Sequence, residues 1–135
     1  MARESEHAAC IEAWVTRLSS DDAEGLARAF ERAFAAIYQT ALPTLGGVTL
    51  PAIVDRVLYD ASERFPILAP LAVGADGLRC EALCEQAAAL GREPLLEALR
   101  FVMVEFLTVL GNLTAEILSD ELHQALLASA GHPTA

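Results

Sequence analysis

A chain of 135 residues with a formal net charge of −10 is the size of one ordinary domain, and we predict a single helical domain over 1–135. Every basic residue is an arginine, and an acidic chain repels phosphate backbones, so nucleic acid is not expected as a partner. Hydrophobic residues make up 54% of the chain, more than one small core needs. The surplus predicts a subunit interface or a ligand pocket.

A membrane partner is not expected. The apolar run from Phe101 to Leu118 is interrupted by Glu105, Asn112 and Glu116, which hydrocarbon would disfavour. The first seven residues are polar and lack the apolar segment that is typical of a signal peptide. We therefore predict a cytoplasmic protein whose cysteines are reduced.

The first forty residues contain two amphipathic patterns. Residues 4–18 carry apolar side chains at helical spacing and predict a first helix. The side-chain oxygens of residues 19–22 then suit the cap of a second helix, which runs to about Thr40. Pro43 and the glycine pair at 46–47 predict the one substantial loop, from Ala41 to Leu50.

The middle of the chain predicts two further helices. One begins near Pro51 and ends before Pro66. The segment from Phe65 to Leu78 contains prolines, glycines and apolar residues, which favours a packed connection with one short helical turn. A fourth helix from about Leu78 is expected to end at Gly91.

The fifth predicted helix, from about Pro94 to Leu118, is apolar around most of its circumference. That pattern is typical of a helix surrounded by neighbours, so we expect it to be long and largely buried. A break at Ser119 then begins a last short helix that ends near Ser129. The predicted fold class is all-α, a five- or six-helix bundle.

Four polar residues form one stripe on this fifth helix, namely Glu105, Thr108, Asn112 and Glu116. With Trp14 and Phe106 as apolar walls, the stripe predicts a candidate ligand-binding pocket. The alternative is that the stripe is the narrow face that the helix turns to water. This alternative is favoured by the cost of burying carboxylates where no matching arginine pattern is evident.

Metal and cofactor sites have little support. Cys80 and Cys84 are four residues apart, a spacing that could hold a soft metal ion, but zinc would need two more ligands. The histidines form no paired motif, and they occur at positions His7, His123 and His132. We therefore predict that the two cysteines are small buried residues, with no metal and no cofactor.

One short motif resembles a fragment of di-iron helical bundles. Glu4 and His7 have the Glu-x-x-His spacing of those bundles, but such sites need a second copy and further inward carboxylates. Asp120 and His123 are only a poor match to that second copy. The spacing therefore does not support a di-iron centre.

No nucleophile motif and no phosphate-binding glycine loop occurs in the sequence, which favours a function without catalysis. The arginine-only, alanine-rich composition is typical of GC-rich bacterial genomes. We expect a regulatory or sensor-type module of bacterial signalling that acts through protein–protein contacts as a homodimer, with another signalling protein as a further partner. The alternative is a small-ligand or cofactor-binding bundle, a carrier or small enzyme, with its pocket near Glu105, Asn112 and Glu116.

Overall fold

A computed structural model of the chain describes residues 2–18, 22–74 and 77–130, and the prediction of a mostly helical chain is confirmed. Five α-helices occur in these ranges: α1 (Ala2–Arg17), α2 (Ala23–Arg64), α3 (Glu81–Leu90), α4 (Arg92–Leu113) and α5 (Ser119–Ala130). Between α2 and α3 lie a 3₁₀ turn, Pro66–Leu68, and an antiparallel hairpin of strands β1 (Ala72–Gly74) and β2 (Gly77–Arg79).

The second helix is the longest, not the predicted fifth. The Asp22 side chain caps α2 by accepting a hydrogen bond of 2.8 Å from the Gly25 amide. The helix then continues through the stretch predicted to be a loop, and only Gly46 departs from helical dihedrals, with φ 90° and ψ 163°. Ala41 and Leu50, on either side of this kink, are fully buried. Packing of this face therefore keeps helical a segment whose prolines and glycines favour a loop.

The central part of α2 is free of charge, since no charged residue occurs from Ala33 to Val54. By length and composition alone, α2 is the one helix of the described residues that could cross a membrane, a test that core helices of soluble proteins also pass. Only 28% of its most apolar window is buried. In the structure, α2 bends at Gly46 and packs on α3, α4 and α5, so this stretch supplies core on one face and exposed apolar surface on the other.

The fourth helix carries the face that was predicted to be buried, but it ends before the predicted Leu118. Phe106 is fully buried and stacks on Phe34 of α2, with ring centroids 4.3 Å apart. At the end of α4 the Thr114 hydroxyl donates to the Leu110 carbonyl at 2.9 Å. The chain then turns through two successive left-handed residues, 115 and 116. Neither of these residues is a glycine, so no residue in the sequence marks this helix end.

The hairpin was not predicted. Val73 pairs with Leu78 across it, and the buried Leu78 belongs to the core. Each strand has three residues, which is too short for an alternating pattern to be visible in the sequence. The single predicted helical turn is present beside it as the 3₁₀ turn.

The first helix packs across α4 and α5. Glu12 forms an ion pair with Arg100 of α4, with 2.8 Å between Oε2 and Nε. Arg17 donates from Nη1 to the Leu127 carbonyl of α5 at 3.4 Å. Trp14 faces inward between these contacts and is 1% exposed. The two ends of the described chain therefore meet on one side of the bundle.

Candidate functional site

An apolar groove of about 520 Å³ lies between the second half of α2 and the C-terminal half of α4. Its lining comes from both helices, namely Val48, Thr49, Ala52, Ile53, Arg56, Val57, Asp60, Glu105, Val109 and Leu113. Val48 is 87% exposed and Leu113 is 56% exposed, which is unusual for large apolar side chains. The groove therefore holds part of the apolar surplus on the outside of the molecule.

Three of the residues that line this groove are charged. Arg56 and Asp60 are one helical turn apart on α2, with 3.4 Å between Nε and Oδ1. Glu105 lies on α4 in the same groove. The groove thus carries one positive and two negative side chains around an apolar floor.

The sequence-predicted stripe does not form one pocket. Glu105 lines the groove, whereas Asn112 is exposed at the end of α4. Thr108 is half-buried, and among the described residues its hydroxyl has no hydrogen-bond partner. Glu116 lies beyond the end of α4, because the helix stops at Leu113.

The two aromatic residues predicted as pocket walls both lie in the core. Phe106 is fully buried in its stack with Phe34, and Trp14 is 1% exposed beneath α1. Neither residue lines the groove. The Trp14 indole nitrogen has no hydrogen-bond partner among the described residues. A role for these two side chains in ligand binding stays a prediction.

A second polar feature lies in the turn between α4 and α5. Ala115 and Glu116 both have positive φ, 54° and 65°, a conformation that L-residues adopt at some cost. The Glu116 amide donates to the Gly111 carbonyl at 2.7 Å, which closes the turn. The Ser119 hydroxyl donates to the Glu116 carboxylate at 2.6 Å. A β-carbon at Gly111 would lie 2.5 Å from Glu116 Oε1, so a glycine leaves the space that this carboxylate occupies.

The Glu116 carboxylate faces the buried His7, which in turn contacts the half-buried His123. His7 of α1 is 1% exposed, and its Nε2 lies 3.8 Å from Glu116 Oε1. His7 Nδ1 lies 2.9 Å from Nε2 of His123 on α5. The Cys10 thiol donates to the His123 carbonyl at 3.8 Å. We call Cys10, Glu116, Ser119 and the two histidines the histidine cluster.

Sequence reasoning missed both features. The histidines are 116 positions apart, and no spacing rule connects such residues. The α2 wall of the groove had a signal, the charge-free stretch up to Val54, but the prolines and glycines within it favoured a loop. The sequence therefore does not predict an exposed apolar helix face there.

All three cysteines are buried and free. Burial raises the pKa of Cys80 to about 12, and the nearby Glu31 carboxylate adds to this effect. Burial also raises the pKa of Cys84, against the lowering effect of Arg28. Within the described ranges no group of three or more His, Cys, Asp or Glu residues is placed to hold a metal ion. The thiolate form that a soft metal needs is disfavoured at both positions.

Comparison of the chain with protein families, curated proteins and solved structures finds no match.

Proposed function

We propose that this protein is a non-enzymatic regulatory module that acts through protein–protein contacts, and that two copies associate through the groove between α2 and α4. The observation that carries the proposal is the exposed apolar lining of the groove, with Val48 87% exposed and Leu113 56% exposed. Soluble proteins rarely leave such patches uncovered unless they bind something.

The charge of the groove favours a second copy as its occupant. The whole chain carries a net charge of −10, so most of its surface repels another copy. Much of the groove's α2 wall comes from the charge-free stretch that ends at Val54, and interface cores are depleted in charge. In a two-fold dimer, Arg56 of each copy can pair with Glu105 of the other. The groove is thus self-complementary.

The dimer can be tested by analytical ultracentrifugation of the wild type and of Leu113→Glu. A carboxylate in the covered groove would lose its hydration, so we expect the dimer dissociation constant to rise at least about tenfold. The matched control is Ala88→Glu, which adds the same charge at an exposed position of α3 and should leave the constant unchanged. A wild type that stays monomeric at high concentration would contradict the proposal.

A charge exchange tests the pairing within the interface. Arg56→Glu and Glu105→Arg should each weaken the dimer, because like charges then meet. When the two variants are mixed, each of the two pairs again joins opposite charges, one as in the wild type and one with its signs exchanged, so native mass spectrometry should show mainly the mixed dimer. A mixture with no preference for the mixed dimer would reject this arrangement of the two copies.

A small apolar ligand is the second candidate for the groove. Its volume of about 520 Å³ is within the range of ligand sites, and Glu105 would supply a polar group at its edge. A second copy is favoured over a ligand because Val48 stands largely in solvent, whereas ligand pockets enclose most of the bound molecule. A reproducible added mass per subunit in native mass spectra would favour the ligand.

The setting proposed for this module is bacterial signalling in the cytoplasm, with another signalling protein as a further partner. The arginine-only, alanine-rich composition of the chain supports a bacterial source. The equilibrium between monomer and dimer supplies two states, and a partner or ligand that binds one of them more tightly would shift the equilibrium towards it. Affinity capture with the wild type and with Leu113→Glu would separate partners that need the dimer from those that bind elsewhere.

A further inference from the structure

The histidine cluster joins the first helix to the last through a contact that depends on protons. With 2.9 Å between His7 Nδ1 and His123 Nε2, one ring nitrogen donates and the other accepts. Two neutral rings satisfy this contact, and so does one neutral ring with one charged ring. Two charged rings would each direct an N–H at the other, so the contact fails when both are protonated.

A carboxylate close to the pair favours the first added proton. Glu116 of the turn, with Oε1 3.8 Å from His7 Nε2, supplies a negative charge that balances a single protonation. The Ser119 hydroxyl holds this carboxylate by a 2.6 Å hydrogen bond. On α1, burial raises the pKa of Cys10 to about 11, against the lowering effect of Arg17, so this thiol stays neutral while histidines titrate. A second proton would place two like charges side by side in a partly buried position.

We propose that the His7–His123 pair is a pH-sensitive clamp, which holds α1 on the bundle while at most one ring is protonated and releases α1 when both are. This inference goes beyond the proposed dimer and uses none of the groove residues. Release would expose the surface of α4 and α5 that α1 covers, together with the buried face of α1 that carries Trp14.

The direction of the pH effect follows from proton counting. Free histidines take up protons near pH 6.5, so the released state binds two protons as the pH falls. The clamped state binds at most one. The equilibrium constant for release should therefore rise with acidification, by about tenfold or more per pH unit well below pH 6.5. The clamp is closed at neutral pH and is lost as the pH falls.

Trp14 reports this release directly, because it is the only tryptophan and lies on α1 with 1% of its surface exposed. Its emission should shift to longer wavelength between pH 6.5 and pH 5, while the far-ultraviolet circular dichroism of the other helices largely remains. In His123→Gln the side-chain amide can take the place of Nε2 without titrating. That variant should lose the shift in this interval.

His132→Gln is the control, because it removes the third histidine of the chain, which lies outside the described residues, and keeps both members of the pair. It should keep the wild-type shift. No shift in the wild type down to pH 5, or a shift that survives unchanged in His123→Gln, would overturn the clamp. An equal loss of the shift in His132→Gln would overturn it as well.

A second measurement decides the matter if His123→Gln does not fold. The urea-unfolding equilibrium constant of the wild type should rise at least about threefold between pH 7 and pH 5. A rise smaller than that would contradict the clamp. The groove variant Leu113→Glu should show the same pH response as the wild type, so failure of the dimer and failure of the clamp are separate results.

Discussion

The groove and the histidine cluster depart in opposite ways from the usual arrangement of apolar side chains inside and polar side chains outside. In the groove, Val48 and Leu113 are apolar and stand in solvent. In the cluster, His7 and Ser119 are polar, and they are 1% and 0% exposed. Buried polar groups and exposed apolar patches are the informative departures in a folded protein. The C-terminal half of α4 therefore lines an exposed apolar groove, whereas the turn that follows it contributes to a buried polar cluster. These two neighbouring segments are suited to different functions.

The two regions also differ in how they are held. The groove is open and needs no partner within the chain to keep its shape, because its walls are regular helices. The cluster depends on hydrogen bonds that cross between α1, the 114–118 turn and α5. Mutations in the groove should therefore change association with little change in stability, whereas changes around the cluster should alter stability or its pH dependence.

Phe106→Ala should have the largest effect, because it removes a core contact of α4, the helix that carries one wall of the groove and leads into the turn of the cluster. The ring stacks on Phe34 at 4.3 Å in the core, and deleting a buried phenylalanine commonly lowers the free energy of unfolding by about 3–5 kcal/mol. Thermal and urea unfolding would measure this loss. Leu113→Ala, on the exposed side of the same helix, should lower it by about 1 kcal/mol or less. Similar losses in the two variants would contradict the comparison.

Alkylation of Cys10 tests whether the histidine cluster is shielded from solvent. With its pKa raised to about 11 by burial, this thiol should react with iodoacetamide at pH 8 about a hundredfold more slowly than an exposed cysteine. The raised pKa also means that the folded state keeps a proton which the unfolded chain loses. Stability from this thiol is therefore present below about pH 9 and is lost as the pH rises towards 11.

Peptide mapping by mass spectrometry gives the rate at Cys10, and the same reaction in urea is the control. Denaturation should restore the ordinary rate. If Cys10 in the folded protein is alkylated at a rate within about threefold of that in urea, α1 opens readily at pH 8. The histidine cluster would then be accessible to solvent.

Ala115→Gly should have the smallest effect, and it should stabilise. Ala115 has φ 54°, which a glycine adopts without steric cost, so the free energy of unfolding should rise by about 0.5–1 kcal/mol. Ala128→Gly is the matched control, because it makes the same change at an exposed position inside α5. That control should destabilise by about 0.5–1 kcal/mol. A loss of stability in both variants would mean that position 115 is not strained.

The sequence predicted the parts of the fold that depend on local periodicity and could not predict those that depend on packing. The Ser119 break, the Gly91 helix end and the buried face of α4 all follow from residues a few positions apart. The helical path across Gly46 does not, because Ala41 and Leu50 are held by a core that local propensity does not describe. The end of α4 at Leu113 was missed for the same reason.

The residues of the candidate sites show the same difference between local periodicity and tertiary packing. Glu105 was predicted as a site residue and lines the groove, since its place on α4 is fixed by helical phase. Glu116 was assigned to the same stripe by extending that phase, but the turn redirects it towards His7. The His7–His123 pair could not be predicted, because two residues at the far ends of a chain meet only through tertiary structure.

That long-range pairing has a consequence during synthesis. His7 and His123 are separated by 116 positions in the sequence, and a ribosome adds roughly 5 to 20 residues per second. The N-terminal helix therefore leaves the ribosome about 6 to 23 s before its docking surface on α5 exists. During this interval Ile11 and Trp14 lack the cover that α5 gives in the folded protein, so their apolar surface is open to a nascent-chain chaperone.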